Sequence, residues 1–193
     1  LPASAALLIG SKEIVSALFG YGQFTENSVL NTANALYYFS FGLPAFAMIK
    51  VFSNFFFANH DTKTPFYISL ISVLLNVLIS VYFFRSIGFI IIPIATTISS
   101  WFNTIFLFFI LINRGLFSFN DIFISRFLKI IFSSVAMGFF FNYLMDIFQN
   151  QLDFDQALKS FYLILSVLLG ACFYLLLSYL IKAFKLEDIK LKY

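Results

Sequence analysis

Long apolar runs, broken by short clusters of polar and charged residues, recur along the whole chain. A helix needs about 20 largely apolar residues to cross the hydrocarbon core of a bilayer. Residues 65–84, 87–112 and 160–181 meet that length without a single charge, and 127–148 carries only Lys129 and Asp146 near its ends. Residues 35–58 are long enough but hold Pro44 and Lys50, and 1–19 are split by Lys12 and Glu13. The pattern predicts an all-α, polytopic transmembrane helix bundle of about six spans. These runs lack the period-two polar alternation of a membrane barrel.

Composition points the same way. The 193 residues are 61% hydrophobic and 11% charged, with a mean hydropathy of +0.94. Soluble domains are about a quarter charged, so a soluble enzyme, a disordered tail and a nucleic-acid module are excluded. The lipid bilayer is the expected partner, and nucleic acid is not. One Cys and one His leave no disulfide framework and no His-rich metal site. No Walker loop or dinucleotide fingerprint occurs, so no cofactor and no catalysis are expected. The opening Leu1-Pro2-Ala3, without Met or a preceding signal peptide, reads as a fragment or processed piece.

The basic residues are distributed unevenly. Connections after the second, fourth and sixth spans hold Lys63; Arg114, Arg126 and Lys129; and Lys182, Lys185, Lys190 and Lys192, eight in all. The other connections hold two, Arg85 and Lys159. By the positive-inside rule the basic side and both termini are cytoplasmic. The loop 146–159, with Asp153 and Asp155, falls outside. The tail 182–193 either lies along the inner leaflet or is a solvated basic tail that fixes topology.

Polar groups within spans carry the candidate chemistry, because an intramembrane charge is expensive. Lys50 either faces a central cavity, where its ammonium suits an anionic substrate group, or snorkels to the membrane face. Pro44, with Gly42 before it, is expected to kink its helix or loosen its hydrogen bonds, marking a gating element. Lys12 and Glu13 mark either a broken first helix or a membrane exit. Asn76 and Ser80 share a helix face, and Thr96, Thr97, Ser99 and Ser100 follow on the next span. Asn76, Ser80 and Thr96 are candidates for a small-cation site, although neither span supplies a carboxylate. The plainer reading is interhelical hydrogen bonding, which also covers Asn103 and Asn142. Cys172 reads as a buried small apolar residue, and Ser166, Gly170, Ala171 and Ser178 as positions for close helix packing.

Three motifs, in order, carry a resemblance. They are Leu18-Phe19-Gly20-Tyr21-Gly22-Gln23-Phe24-Thr25; Gly42-Leu43-Pro44-Ala45 with Lys50; and Phe56-Phe57-Ala58-Asn59-His60-Asp61-Thr62-Lys63-Thr64-Pro65. Gly88, Ala95-Thr96-Thr97-Ile98-Ser99 and Trp101-Phe102-Asn103 continue the series. Together they resemble the MurJ/MviN family of lipid II flippases. Asp61, Lys63, Thr64 and Pro65 resemble its cytoplasmic Asp-x-Lys-Thr-Pro turn. Tyr21 stands where that family usually has an Arg. Lys50 matches a basic position that, in the family, faces the central cavity.

The resemblance implies the C-terminal part of a two-lobed flippase. Residues 1–113 would belong to the second lobe, 114–181 would be two extra C-terminal helices lining a groove for a lipid tail, and 182–193 a basic tail. It also implies an undecaprenyl-pyrophosphate-linked substrate, a bacterial inner membrane, and a missing N-terminal lobe as the chain's partner. A polysaccharide-lipid flippase of the same superfamily and a membrane-embedded glycosyltransferase are the alternatives.

Overall fold

The computed structural model describes residues 1–117 and 120–183. Among these residues the regular structure is entirely helical. The helices are α1 (Pro2–Ile9), α2 (Ser11–Phe19), α3 (Glu26–Ala58), α4 (Lys63–Ile87), α5 (Ile91–Asn113), α6 (Asp121–Ile147), α7 (Gln149–Leu152) and α8 (Lys159–Leu180). Four described helical stretches are long and apolar enough to cross a membrane, or five if the bent pair α1–α2 forms one span. One of the four, Lys63–Asn113, is 51 residues long. It folds back on itself at Gly88, so α4 and α5 account for two of the spans read from the sequence.

Two helix starts differ from the sequence reading. The first span is not straight: α1 and α2 meet at 80°. The break falls at Gly10 rather than at Lys12 and Glu13, which occupy the first turn of α2. A Cβ at Gly10 would sit 2.9 Å from the Phe141 ring, so close packing against α6 selects glycine there. The helix is thus broken just before the charged pair. The second long helix starts at Glu26, nine residues before the apolar run. The Thr25 hydroxyl accepts from the Ser28 N–H (3.3 Å), and Glu26 lies in the first turn. A polar, capped and acid-favoured first turn extends the helix beyond its hydrophobic length.

The chain forms two compact units, residues 1–33 with 119–193, and residues 34–118. In the second unit, α4 and α5 are antiparallel. Asn76 pairs with Thr96 while the earlier Ser69 pairs with the later Asn103. Gly88 (φ 75°, ψ −154°) makes the reversal, in a region of backbone space almost closed to residues with a Cβ. α3 and α5 run parallel, since Tyr38, Phe41 and Ala45 accept in turn from Thr97, Trp101 and Thr104. Phe52, Phe56, Ile68, Leu107 and Leu111 form the core at one end of the three helices.

In the first unit α6 is central, touching both α1 and α8. Met137, Phe141 and Met145 pack with Ala17, Leu152 and Leu163. Gly138 faces Ile9 and Ala5, while Gly170 faces Phe141 and Met137. Small residues let these helices approach closely, as expected of packing within lipid. Cys172 corrects the sequence reading, because it is exposed. The buried stripe of α8 runs through Leu163, Ser166, Gly170 and Ser178, and Cys172 points about 200° away from Gly170 on a 3.6-residue helix. The tail 182–193, beyond Ala183, lies outside the described residues.

Candidate functional site

The second unit holds a cleft of about 260 Å³ between α3, α4 and α5. Its walls include Ser69, Ser72 and Asn76 of α4, Thr96, Ser99, Ser100 and Asn103 of α5, and Phe46 and Ile49 of α3. Thr96 donates its hydroxyl to the Ile92 carbonyl (2.8 Å), and Ser99 donates to the Thr96 carbonyl (3.0 Å). Both oxygens are therefore acceptors for the Asn76 amide, at 3.0 and 3.4 Å. That network joins α4 to α5, the interhelical bonding that was the plainer reading of these residues. It brings Asn76 and Thr96 together. Ser80 is not part of it; its hydroxyl is buried without a partner among the described residues, as is the Asn103 side-chain oxygen. A cation here would meet hydroxyl and amide oxygens and no carboxylate.

Pro44 sits inside a helix that continues unbroken from Glu26 to Ala58. It has no N–H for the carbonyl four residues back, and its ring crowds that carbonyl. Around it, α5 supplies donors to the backbone of α3. Thr97 reaches the Tyr38 carbonyl (2.8 Å), Trp101 the Phe41 carbonyl (2.9 Å) and Thr104 the Ala45 carbonyl (3.1 Å). Gly42 is buried in this contact, where a Cβ would stand 3.0 Å from the Thr97 hydroxyl. Sequence reading set Thr97 opposite Asn76; it points instead to α3. These bonds flank the Ser40 carbonyl, the one Pro44 deprives of its helical donor, and tie that stretch of α3 to α5.

Lys50 is exposed on this chain and makes no ion pair among the described residues. It lies about 160° around α3 from Phe52, on the 3.6-residue spacing, and so away from the face that packs on α5.

The turn between α3 and α4 is built by short-range bonds. The His60 N–H meets the Phe57 carbonyl and the Asp61 N–H the Phe56 carbonyl, closing α3 in a Schellman motif with His60 at φ 58°. Asp61 then caps α4, one oxygen accepting from the backbone N–H groups of Lys63 (3.1 Å) and Thr64 (3.0 Å). The other accepts from the Thr64 hydroxyl (2.6 Å) and from Arg114 (2.5 Å). Arg114, just past α5, also donates to the Thr64 hydroxyl at 3.0 Å. Thr64's hydroxyl and N–H, followed by Arg114, hold the Asp61 carboxyl well below the usual carboxylate range. Pro65 is buried in the first turn of α4, where a missing N–H costs nothing.

One residue was missed by sequence reading. Lys159, counted above as a loop charge, is 1% exposed. Its ammonium donates to the carbonyls of Gly20 (2.7 Å) and Phe154 (2.6 Å). It also lies over the rings of Tyr21 (4.4 Å) and Phe154 (4.6 Å). Beside it, Ser160 donates to the Ala17 carbonyl (2.5 Å) and meets the Tyr21 hydroxyl (2.8 Å). A Cβ at Gly20 would fall 2.5 Å from the Ser16 carbonyl and 3.1 Å from the Lys159 ammonium. The only sequence signal was the Gly20-Tyr21-Gly22 turn, and nothing in it points 139 residues ahead.

Large apolar side chains such as Leu78, Val81, Phe139 and Leu176 face outward, while twelve Ser, Thr and Asn side chains among the described residues are buried. That inversion, with helices of spanning length, defines a multi-pass helical membrane protein. The model of the family described as "Lipid II flippase MurJ" matches residues 1–163. A probable lipid II flippase MurJ of Rhizobium meliloti is 42% identical over 115 residues, covering 60% of this chain and 22% of the relative. One of Thermotoga maritima is 30% identical over 98% of this chain and 36% of the relative. A solved structure, lipid II flippase MurJ in an inward closed conformation, superposes with a TM-score of 0.77 at 28% identity. That match covers 98% of this chain and 36% of the solved one. The chain belongs to the lipid II flippase MurJ family. It spans between 22% and 36% of the length of these relatives.

Proposed function

We propose that this chain is the C-terminal part of a lipid II flippase of the bacterial inner membrane. The whole protein would move an undecaprenyl-pyrophosphate-linked peptidoglycan precursor between leaflets by alternating access, with no bond made or broken. The observation that carries this reading is the fold match over 98% of the chain to a solved lipid II flippase. The rest of such a protein, including its first lobe, would be this chain's partner.

Lys50 is the residue proposed to meet the anionic headgroup. Its support is chemical: a pyrophosphate needs cations in a space shielded from lipid tails, and Lys50 is an exposed cation with no ion pair among the described residues. Pro44 and Gly42 would allow α3 to flex, since backbone held by α5 side chains can exchange partners. Asp61, Lys63, Thr64 and Pro65 would form the cytoplasmic turn, with Lys63 and Arg114 on the positive side of the membrane. Asn76, Ser80 and Thr96 remain the candidates for a coupling cation. Residues 114–181 would guide the prenyl tail, for which α8's outward Leu168, Leu175 and Leu176 offer apolar surface.

Lys50→Ala in the full-length protein tests the headgroup role. It is expected to abolish complementation of a strain lacking the native flippase while membrane abundance stays near normal. Lys50→Arg should retain part of the activity, since Arg keeps the charge but not the geometry. Full complementation by Lys50→Ala would rule the role out.

A further inference from the structure

Lys159 is a buried cation that the transport reading does not use. Its cage ties the turn 20–25, which leads from α2 into α3, to the start of α8. Three observations bear on what that tie does.

The first is the kind of partner. The Lys159 ammonium forms no ion pair among the described residues, although Asp153 and Asp155 lie in the segment just before it. It is held by two neutral carbonyls and two rings. Taking an ammonium out of water is costly, and neutral acceptors offset that cost less fully than a carboxylate does. The closed cage is therefore only modestly favoured over one whose ammonium and carbonyls are hydrated. The second is where the acceptors sit. Gly20 and Phe154 both lie outside helices, and Lys159 is the first residue of α8, so the cage can be undone with no helix unwound. The third is what surrounds the turn. Tyr21, Gly22 and Gln23 are exposed, and Gly22, at φ 63°, has open space where a Cβ would stand. The apolar core that joins α2 to α8 includes Ala17 and Leu163 and none of the turn. The turn can leave α8 while that core stays closed.

We propose that Lys159 is a latch. Closed in this structure, it fixes the turn and the first residues of α3 against α8, and it opens during the working cycle. Ser160 acts with it, through the Ala17 carbonyl and the Tyr21 hydroxyl. Opening within the cycle rests on the transport reading; the latch itself does not.

Two measurements on the full-length protein test it. The first is acylation by an impermeant succinimidyl ester, read at each lysine by mass spectrometry, with the exposed Lys12 of α2 as reference. Lys159 is expected to react about tenfold more slowly than Lys12, or slower still, yet to reach completion; tenfold is the scale of one hydrogen bond to a charged group. Tyr21→Phe keeps the ring and loses the bond to Ser160, so it should speed Lys159 severalfold and leave Lys12 unchanged. An Ala17→Cys thiol, in a Cys172→Ala background, should stay unreactive meanwhile, since Ala17 is buried in the core. Lys159 as reactive as Lys12, Lys159 never reactive, or Lys159 reacting only together with the Ala17→Cys thiol would each overturn the latch. These results mean no cage, no opening, or unfolding of the whole unit.

The second measurement uses Tyr21→Cys with Ser160→Cys in a cysteine-free background that includes Cys172→Ala. The pair is joined by a short, reducible bis-methanethiosulfonate linker in lipid vesicles, and translocation of labelled lipid II is followed. Cross-linking should bring translocation to the protein-free level, and reductant should restore it. Equal translocation with and without the cross-link, or no recovery on reduction, would overturn opening within the cycle. A parent protein that moves no lipid II counts against the transport reading, and the acylation result then decides the latch by itself.

Discussion

Arg114, just past the end of α5, donates to the carboxylate of Asp61 in the turn between α3 and α4. The same carboxylate caps α4, so one acidic group ties three helix ends together. An exposed ion pair alone contributes little. Here Arg114 also holds the Thr64 hydroxyl, and Thr64 in turn bonds Asp61, closing a ring of three side chains.

That ring has a pH signature. Asp61 is depressed below its ordinary value, so its contribution is complete above about pH 4, the unfolded carboxylate range. It is lost only as the pH falls through the lowered folded value. Asp61→Asn should therefore lower the melting temperature of the full-length protein by a similar margin at pH 7 and pH 5. The gap should narrow only below pH 4. A gap that closes between pH 7 and pH 5 would show that Asp61 is not held this way.

Lys159 is expected to matter for stability out of proportion to its place at a helix end. Lys159→Met leaves the carbonyls of Gly20 and Phe154 without their donor, a loss of about 2 kcal/mol or more for buried acceptors. Tyr21→Leu removes one ring of the cage and should lose about 1 kcal/mol. Denaturation of the purified protein in detergent would rank the two. An unchanged Lys159→Met would mean the cage contributes nothing to folding.

The spans were legible from hydropathy because lipid imposes length and apolarity on them directly. Partners of the polar residues were not. Thr97, Trp101 and Thr104 bond backbone carbonyls of α3 rather than other polar side chains, and a carbonyl leaves no mark in a sequence. Lys159 looked like a loop charge because its acceptors are also backbone, brought from the turn after α2. The Asp61 turn was recognisable as a motif, yet its third partner, Arg114, lies 53 residues away. Gly170 was rightly placed as a packing position, whereas Cys172, two residues on, faces out. Spacing separates such neighbours only once the buried stripe is known.

The orientation expected from the basic residues is a proposal, and Lys159 bears on it. Buried in its cage, Lys159 is not a solvated loop charge, so among the described residues Arg85 is the one solvated base left in the connections expected outside. In a Cys172→Ala background, Lys63→Cys should react with an impermeant thiol reagent only after the membrane is opened. Asp153→Cys should react in intact cells. The reverse pattern would invert the topology.

The central claim is transport of a pyrophosphate-linked lipid by the protein to which this chain belongs. The most direct measurement is translocation of labelled lipid II in vesicles reconstituted with the full-length protein, read as probe newly accessible at the opposite leaflet. The account predicts translocation well above that of protein-free vesicles, falling to the protein-free level with Lys50→Ala. Vesicles containing the intact, folded protein that move lipid II no faster than empty ones would contradict it.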